Sequence, residues 1–167
     1  LSRKMEDLVA LRRHLHRHPE LSFQESGTSA FIREVLDAWG ISFRSGLAGH
    51  GLTGFIEGRG PGKGHVALRA DMDALPIQEQ KNVAYASTVP GVMHACGHDV
   101  HTSILLGAAK ILNETKHEWE GKIKLIFHLF FSFGELPFSL VWLYASPLGF
   151  YRFSYLYFLF LPLFPLT

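Results

Sequence analysis

An abrupt change of composition at residue 128 limits what this chain can fold into. Of the 16 Lys and Arg residues only Arg152 lies beyond His128, and of the 15 Asp and Glu residues only Glu135 does. All 10 histidines fall at or before residue 128. From Leu129 onward the chain is dominated by Phe, Leu, Tyr and Pro, as in Phe153-Ser154-Tyr155-Leu156-Tyr157-Phe158-Leu159-Phe160-Leu161. Residues 1–128 and 129–167 are read as segments of different origin, the first a folded unit and the second an aromatic-rich apolar tail.

The whole chain, at 167 residues, has the length of one domain with a real core. A net charge of +1 gives no electrostatic reason to expect nucleic acid or an anionic membrane as partner. A single cysteine, Cys96, excludes an internal disulfide framework. The N-terminus, with Arg3, Lys4, Glu6 and Asp7, has no apolar stretch of the secretory kind, so the expected location is cytoplasmic.

Apolar spacing predicts the elements. Leu8, Leu11 and Leu15 mark a helix over 4–18, with Ser2 as its cap and Pro19 at its end. Phe31, Ile32, Val35, Leu36 and Trp39 mark a second over 28–39, and Gly40 sits where a left-handed residue closes a helix. Strands are expected over 41–44 and 52–57, followed by a glycine-rich turn. His65-Val66-Ala67-Leu68-Arg69 suits a buried strand that delivers Asp71 and Asp73 to its carboxyl end, where open α/β sheets place their ligands. Asp99 is expected to cap a helix reaching Asn113, with Ile104, Leu105, Ala108, Ile111 and Leu112 buried. Ile123, Leu125 and Phe127 alternate as a strand does. This order is that of a layered α/β domain.

The chemistry concentrates in two runs. In His94-Ala95-Cys96-Gly97-His98-Asp99-Val100-His101, a thiolate and an imidazole two residues apart share a direction if the loop is extended, and so converge on one ion. Sulfur and nitrogen donors suit zinc and other first-row divalent metals. His94 and His101 flank the pair as further ligands or as groups that orient a ligand. The alternative is a buried structural cysteine beside surface histidines. In Arg69-Ala70-Asp71-Met72-Asp73-Ala74-Leu75-Pro76, either carboxylate could hold a metal-bound histidine in its useful tautomer, or simply cap a turn.

Together with Arg12-Arg13-His14-Leu15-His16-Arg17-His18-Pro19-Glu20-Leu21-Ser22-Phe23, these runs resemble the N-terminal part of the metal-dependent amidohydrolases. That family includes hippurate hydrolase, bacterial N-acyl-amino-acid amidohydrolases and plant auxin-conjugate hydrolases, and more distantly the aminoacylase and carboxypeptidase G-type metallopeptidases. The resemblance spans about residues 4–127. It implies an α/β fold, the layered α/β/α catalytic domain of the zinc-peptidase-like type, here truncated and without the lid or dimerisation domain. It also implies two divalent ions, zinc or manganese, with Cys96 bridging them, His98 bound to one, and Asp73 as the supporting acid with Asp71 beside it. The implied reaction is hydrolysis of the amide bond of an N-acyl amino acid or similar small-molecule conjugate. A membrane or nucleic-acid partner is not implied, and a homo-oligomer stays open.

The sequence departs from the family after Phe127. Where the family continues with Gln-Pro-x-Glu-Glu, whose first glutamate is the general base and second a metal ligand, this chain reads His128-Leu129-Phe130-Phe131-Ser132. The general-base glutamate is therefore not present, and Glu135 stands alone. Three origins compete for 129–167: a shifted reading frame or misplaced exon boundary, a membrane anchor, or a native tail that docks on a partner. Leu136–Tyr151 and Phe153–Leu166 are both shorter than the ~20 residues a spanning helix needs, and both contain prolines.

Overall fold

The computed structural model describes residues 2–60, 62 and 64–128, and the backbones of two further strands at 141–145 and 151–155. The elements in order are α1 (Ser2–Arg17), α2 (Ser26–Ala38), β1 (Ser42–Leu47), β2 (Gly51–Glu57), β3 (His65–Asp71), α3 (His98–Glu114), β4 (Lys122–His128), β5 (Val141–Ala145) and β6 (Tyr151–Tyr155). Through β4 both the order and the boundaries follow the sequence reading closely. The tail, as a separate segment, otherwise lies outside the described residues, and so do most of its two stretches weighed as anchors. Among the described residues no helix is long and apolar enough to cross a membrane.

The strands form one mixed sheet in the order β1-β2-β4-β3-β5-β6. β3 and β4 pair in parallel, linked through α3, because a parallel pair needs a long crossover that a helix supplies. The neighbouring pairs are antiparallel. Register decides the faces. Leu52 lies opposite Phe127 and Ile56 opposite Ile123, while Leu68 and Ala70 lie level with Leu125 and Phe127. One sheet face is thus continuously apolar. It packs against Ile32 and Leu36 of α2 and Leu105, Leu106 and Ala109 of α3, with Leu11 of α1 at the margin. All three helices share that core, so the described residues make two of the three layers expected.

Two local expectations change. Gly97, left-handed at φ 79°, is the N-cap of α3, and Asp99 falls inside the first turn rather than capping it. The buried stripe of α3 is Leu105, Leu106 and Ala109, whereas Ile104 and Ile111 are exposed. An apolar helix offers several stripes by period alone, and packing on the sheet and α1 selects one. The α2 N-terminus draws its cap from a distance: the Glu20 carboxylate accepts the backbone N–H groups of Gly27 at 3.0 Å and Thr28 at 2.7 Å. This satisfies donors that a helix start leaves open. Gly40 behaves as expected, with φ 65° closing α2.

Leu36 is fully buried in α2 beneath the sheet. Leu36→Ala is expected to cost about 2–5 kcal/mol, read from urea denaturation. A loss below about 1 kcal/mol would place Leu36 outside a packed core.

Candidate metal centre

β3 ends in alternation. Ala70 and Met72 point into the core, so Asp71 and Asp73 turn the other way, toward the carboxyl end of the sheet. The strand end is pinned on two sides. Ala74 N–H donates to the Glu20 carbonyl at 2.8 Å, and Leu75 and Met93 exchange backbone bonds at 3.0 and 3.1 Å. The second contact brings the 94–97 turn and the start of α3 alongside Asp73.

At that junction the His98 ring meets Asp73. His98 Nδ1 lies 2.9 Å from Asp73 Oδ1 and also 2.9 Å from the Asp73 carbonyl. Both oxygens only accept, so Nδ1 carries a proton, and in the neutral ring Nε2 holds the lone pair. Ser22 Oγ donates to the other carboxylate oxygen at 2.6 Å and fixes the acid in turn. His98 Nε2 is 3.8 Å from Asp71 Oδ2, and the His101 ring centre is 5.5 Å from that of His98. Asp71, His98 and His101 each offer a donor atom, all within 4.8 Å of one another. Arg69 pairs with Asp71 at 2.8 Å, and Thr102 Oγ1 donates to the Asp71 carbonyl at 2.8 Å.

Burial and hydrogen bonding pull these groups in different directions. Burial would raise Asp73, but hydrogen bonds from His98 and Ser22 hold it at about 2. Burial raises Asp71, outweighing the attraction of Arg69, His98 and His101. Burial would lower His98, yet its hydrogen bond to Asp73 and the charges of Asp71 and Asp73 raise it. Burial and the neighbouring His98 lower His101.

The remaining sequence candidates stand apart from this group. Cys96 is exposed. Gly97 between it and His98 is left-handed, with φ 79° and ψ 23°, so the shared direction of an extended i, i+2 pair does not apply. His94 is buried, its ring nitrogens find no hydrogen-bond partner among the described residues, and burial drives it down to about 4. Ser22 was the missed contributor. It lies inside the histidine-rich run, but nothing in its spacing signals a bond to Asp73, 51 residues away. A concavity of about 350 Å³ between α1 and α2, lined by His14, His18, Glu20 and Phe31, includes none of these groups.

An imidazole oriented by a carboxylate, with a second imidazole and a second carboxylate facing it, is a donor set that fits a divalent first-row metal. Residues 67–129, from β3 through α3 to β4, match the model of peptidase family M20/M25/M40. Over those residues the chain carries part of an M20 domain. It is 50% identical over 121 residues to an N-acyl-L-amino acid amidohydrolase of Geobacillus stearothermophilus, covering 72% of this chain and 32% of that one. It is 47% identical over 123 residues to IAA-amino acid hydrolase ILR1-like 5 of Arabidopsis thaliana, with 72% and 27% covered. A Bacillus subtilis crystal structure described as a dinuclear metal-binding peptidase of the M20 family superposes with a TM-score of 0.73 at 44% identity, covering 76% of this chain and 36% of that one. The chain thus spans about a third of the length of the relatives it matches. The family is one of metal-dependent amidohydrolases and peptidases, and the M20 part here has its mixed α/β fold.

Asp73 makes the acid limb of stability testable. Its folded value of about 2 lies below the ordinary 3.8, so its contribution is present above pH 3.8 and is lost as pH falls toward 2. That contribution is about 2 kcal/mol. In chelator, Asp73→Asn is expected to flatten stability over this window in urea denaturation; an acid slope equal to the parent's would refute the pairing.

Proposed function

We propose that the intact protein is a metal-dependent amidohydrolase cleaving the amide bond of N-acyl amino acids or similar small conjugates. The hydrogen bond from His98 Nδ1 to Asp73 carries this reading, because it aims Nε2 at the space shared with Asp71 and His101. The names of the bacterial and plant relatives support the substrate class. The residues that would hold the ions, zinc or manganese, are His98 and, by the family resemblance, the exposed Cys96 two residues before it. Asp73 is the supporting acid, with Asp71 and His101 beside the pair and His94 beneath the turn.

When bound, divalent ions would polarise the amide carbonyl and lower the pKa of the attacking water. This chain's own residues do the orienting. Asp73 accepts a hydrogen bond from Nδ1–H of His98 and so fixes its tautomer, Ser22 fixes Asp73, and Arg69 fixes Asp71. Proton transfer from water calls for a general base. The sequence after β4 offers no Glu-Glu pair for that task. We therefore read residues 1–128 as the metal-holding N-terminal part of the catalytic domain and 129–167 as a segment of other origin. A cytoplasmic location accords with the single cysteine.

The same gap favours a second reading, in which the chain alone is a metal-binding fragment without turnover. The purified chain is expected to retain zinc or manganese after desalting, to lose it in His98→Ala, and to hydrolyse N-acetyl amino acids weakly or not at all. Failure to retain metal would sink the metal-centre reading, while robust chelator-sensitive turnover would overturn the impairment. Reading the nucleic acid across codons 120–167 in all frames tests the boundary. A frame continuing Leu125-Ile126-Phe127 into Gln-Pro-x-Glu-Glu makes the tail an artefact, and no such frame makes it genuine.

A further inference from the structure

Helix α1 carries a buried charge cluster that the metal centre does not use. His16 is 2% exposed and faces a carboxylate with each ring nitrogen. Nδ1 lies 2.7 Å from Asp99 Oδ2, and Nε2 lies 3.1 Å from Glu79 Oε1. Arg12, one turn earlier on α1, places Nε 2.8 Å from the same Asp99 oxygen. Glu79 uses its second oxygen to accept the Ser87 backbone N–H at 2.6 Å. The Arg12 and Arg13 guanidinium groups flank the Tyr85 ring at 5.2 and 5.0 Å from its centre. Arg12 meets Asp99 as an ion pair and places Nη2 3.2 Å from His16 Nδ1, so among the described residues the side-chain hydrogen bonds to Asp99 and Glu79 come from the His16 ring.

The position of the two acids gives the cluster its meaning. Asp99 directly follows His98, and Glu79 lies at the base of the long connection from β3 to α3 that carries Cys96. That connection has no helix or strand of its own; its backbone is tied by the Leu75–Met93 and Leu21–Ala74 bridges and by Thr88 N–H donating to the Arg17 carbonyl at the end of α1. The first turn of α3 has no side-chain cap, and its N-cap is a glycine. Next to the proposed ligands the backbone bonds are short-range turn bonds, such as Ala95 N–H to the Met93 carbonyl and Gly97 N–H to the His94 carbonyl. The two buried carboxylates tie both ends of the connection to one rigid helix.

We infer that Arg12 and His16 of α1 are positioning residues for the 96–101 metal-binding turn, acting through Asp99 and Glu79. The inference rests on the reading of Cys96 and His98 as ligands. It differs from a purely structural role in one respect. A core truncation lowers stability but leaves the turn in place, whereas loss of His16 frees the turn while the sheet and its core persist. The first should leave metal affinity alone, and the second should not.

Cobalt titration of the full chain separates these cases, since the absorption of bound Co²⁺ reports ligand geometry independently of turnover. His16→Gln, measured where circular dichroism shows a folded chain, is expected to bind Co²⁺ about 10–100-fold more weakly and with an altered spectrum. Leu36→Ala, destabilised but remote in α2, is expected to keep the parent affinity and spectrum. A folded His16→Gln with parent affinity and spectrum would overturn the inference, as would an equal loss of affinity in Leu36→Ala. Should His16→Gln not fold, Glu79→Gln decides: its side-chain oxygen can still accept the Ser87 amide, but its charge opposite His16 is gone. Weakened binding there supports the role of α1, and unchanged binding removes it. An unmodified chain that takes up no Co²⁺ would instead overturn the ligand reading, and the α1 role with it.

Discussion

The hydrogen bond between His98 and Asp73 joins the end of β3 to the start of α3, and much of the local architecture serves it. Asp73 can face His98 because Met72 anchors the strand end in the core and Ser22 saturates the second carboxylate oxygen. His98 can face Asp73 because the Leu75–Met93 bridge carries the intervening chain back to the sheet edge. The bond costs a buried carboxylate and a buried imidazole, which are tolerable only as a mutually hydrogen-bonded pair. Its product is an imidazole of fixed tautomer and direction.

A second buried polar cluster lies on the other side of the same turn. There Arg12 and His16 face Asp99 and Glu79, so the residues on either side of the 98–99 peptide are held by different partners, Asp73 from the sheet and α1 from the helical layer. The turn is thus clamped from both layers. Such clamping fixes a segment where irregular backbone passes into the first turn of α3, because loops position groups less strictly than helices and strands do. Asp71 and His101 complete the arrangement with opposite displacements from their ordinary titration, burial raising the first and lowering the second.

The legible and illegible parts of the site divide along sequence distance. Asp73, Asp71 and His98 were found in the sequence because each lies in a short run of chemically distinctive residues at an element boundary. The direction of Cys96 was not, since it depends on Gly97 adopting a left-handed conformation that changes where neighbouring side chains point. Asp99 looked like a helix cap because acids before apolar runs usually are. It became the ion-pair partner of Arg12 and the hydrogen-bond partner of His16 instead, which lie 87 and 83 residues earlier in the chain. In the same way the Glu20 cap of α2 and the Ser22 bond to Asp73 join residues that no local pattern connects.

By itself the sequence determined the elements through β4 and the donor-bearing runs, because apolar period and turn residues act over a few positions and need no tertiary partner. It also determined the break at residue 128, which is purely compositional. Only the tertiary structure decided which stripe of α3 is buried, which acid orients His98, and that Arg12 and His16 of α1 meet Asp99 and Glu79. Those outcomes depend on the parallel pairing of β3 with β4 and on the packing of α1 across α3, contacts between segments far apart in the chain. Their free energy depends on burial and geometry, which exist only once the layers have come together.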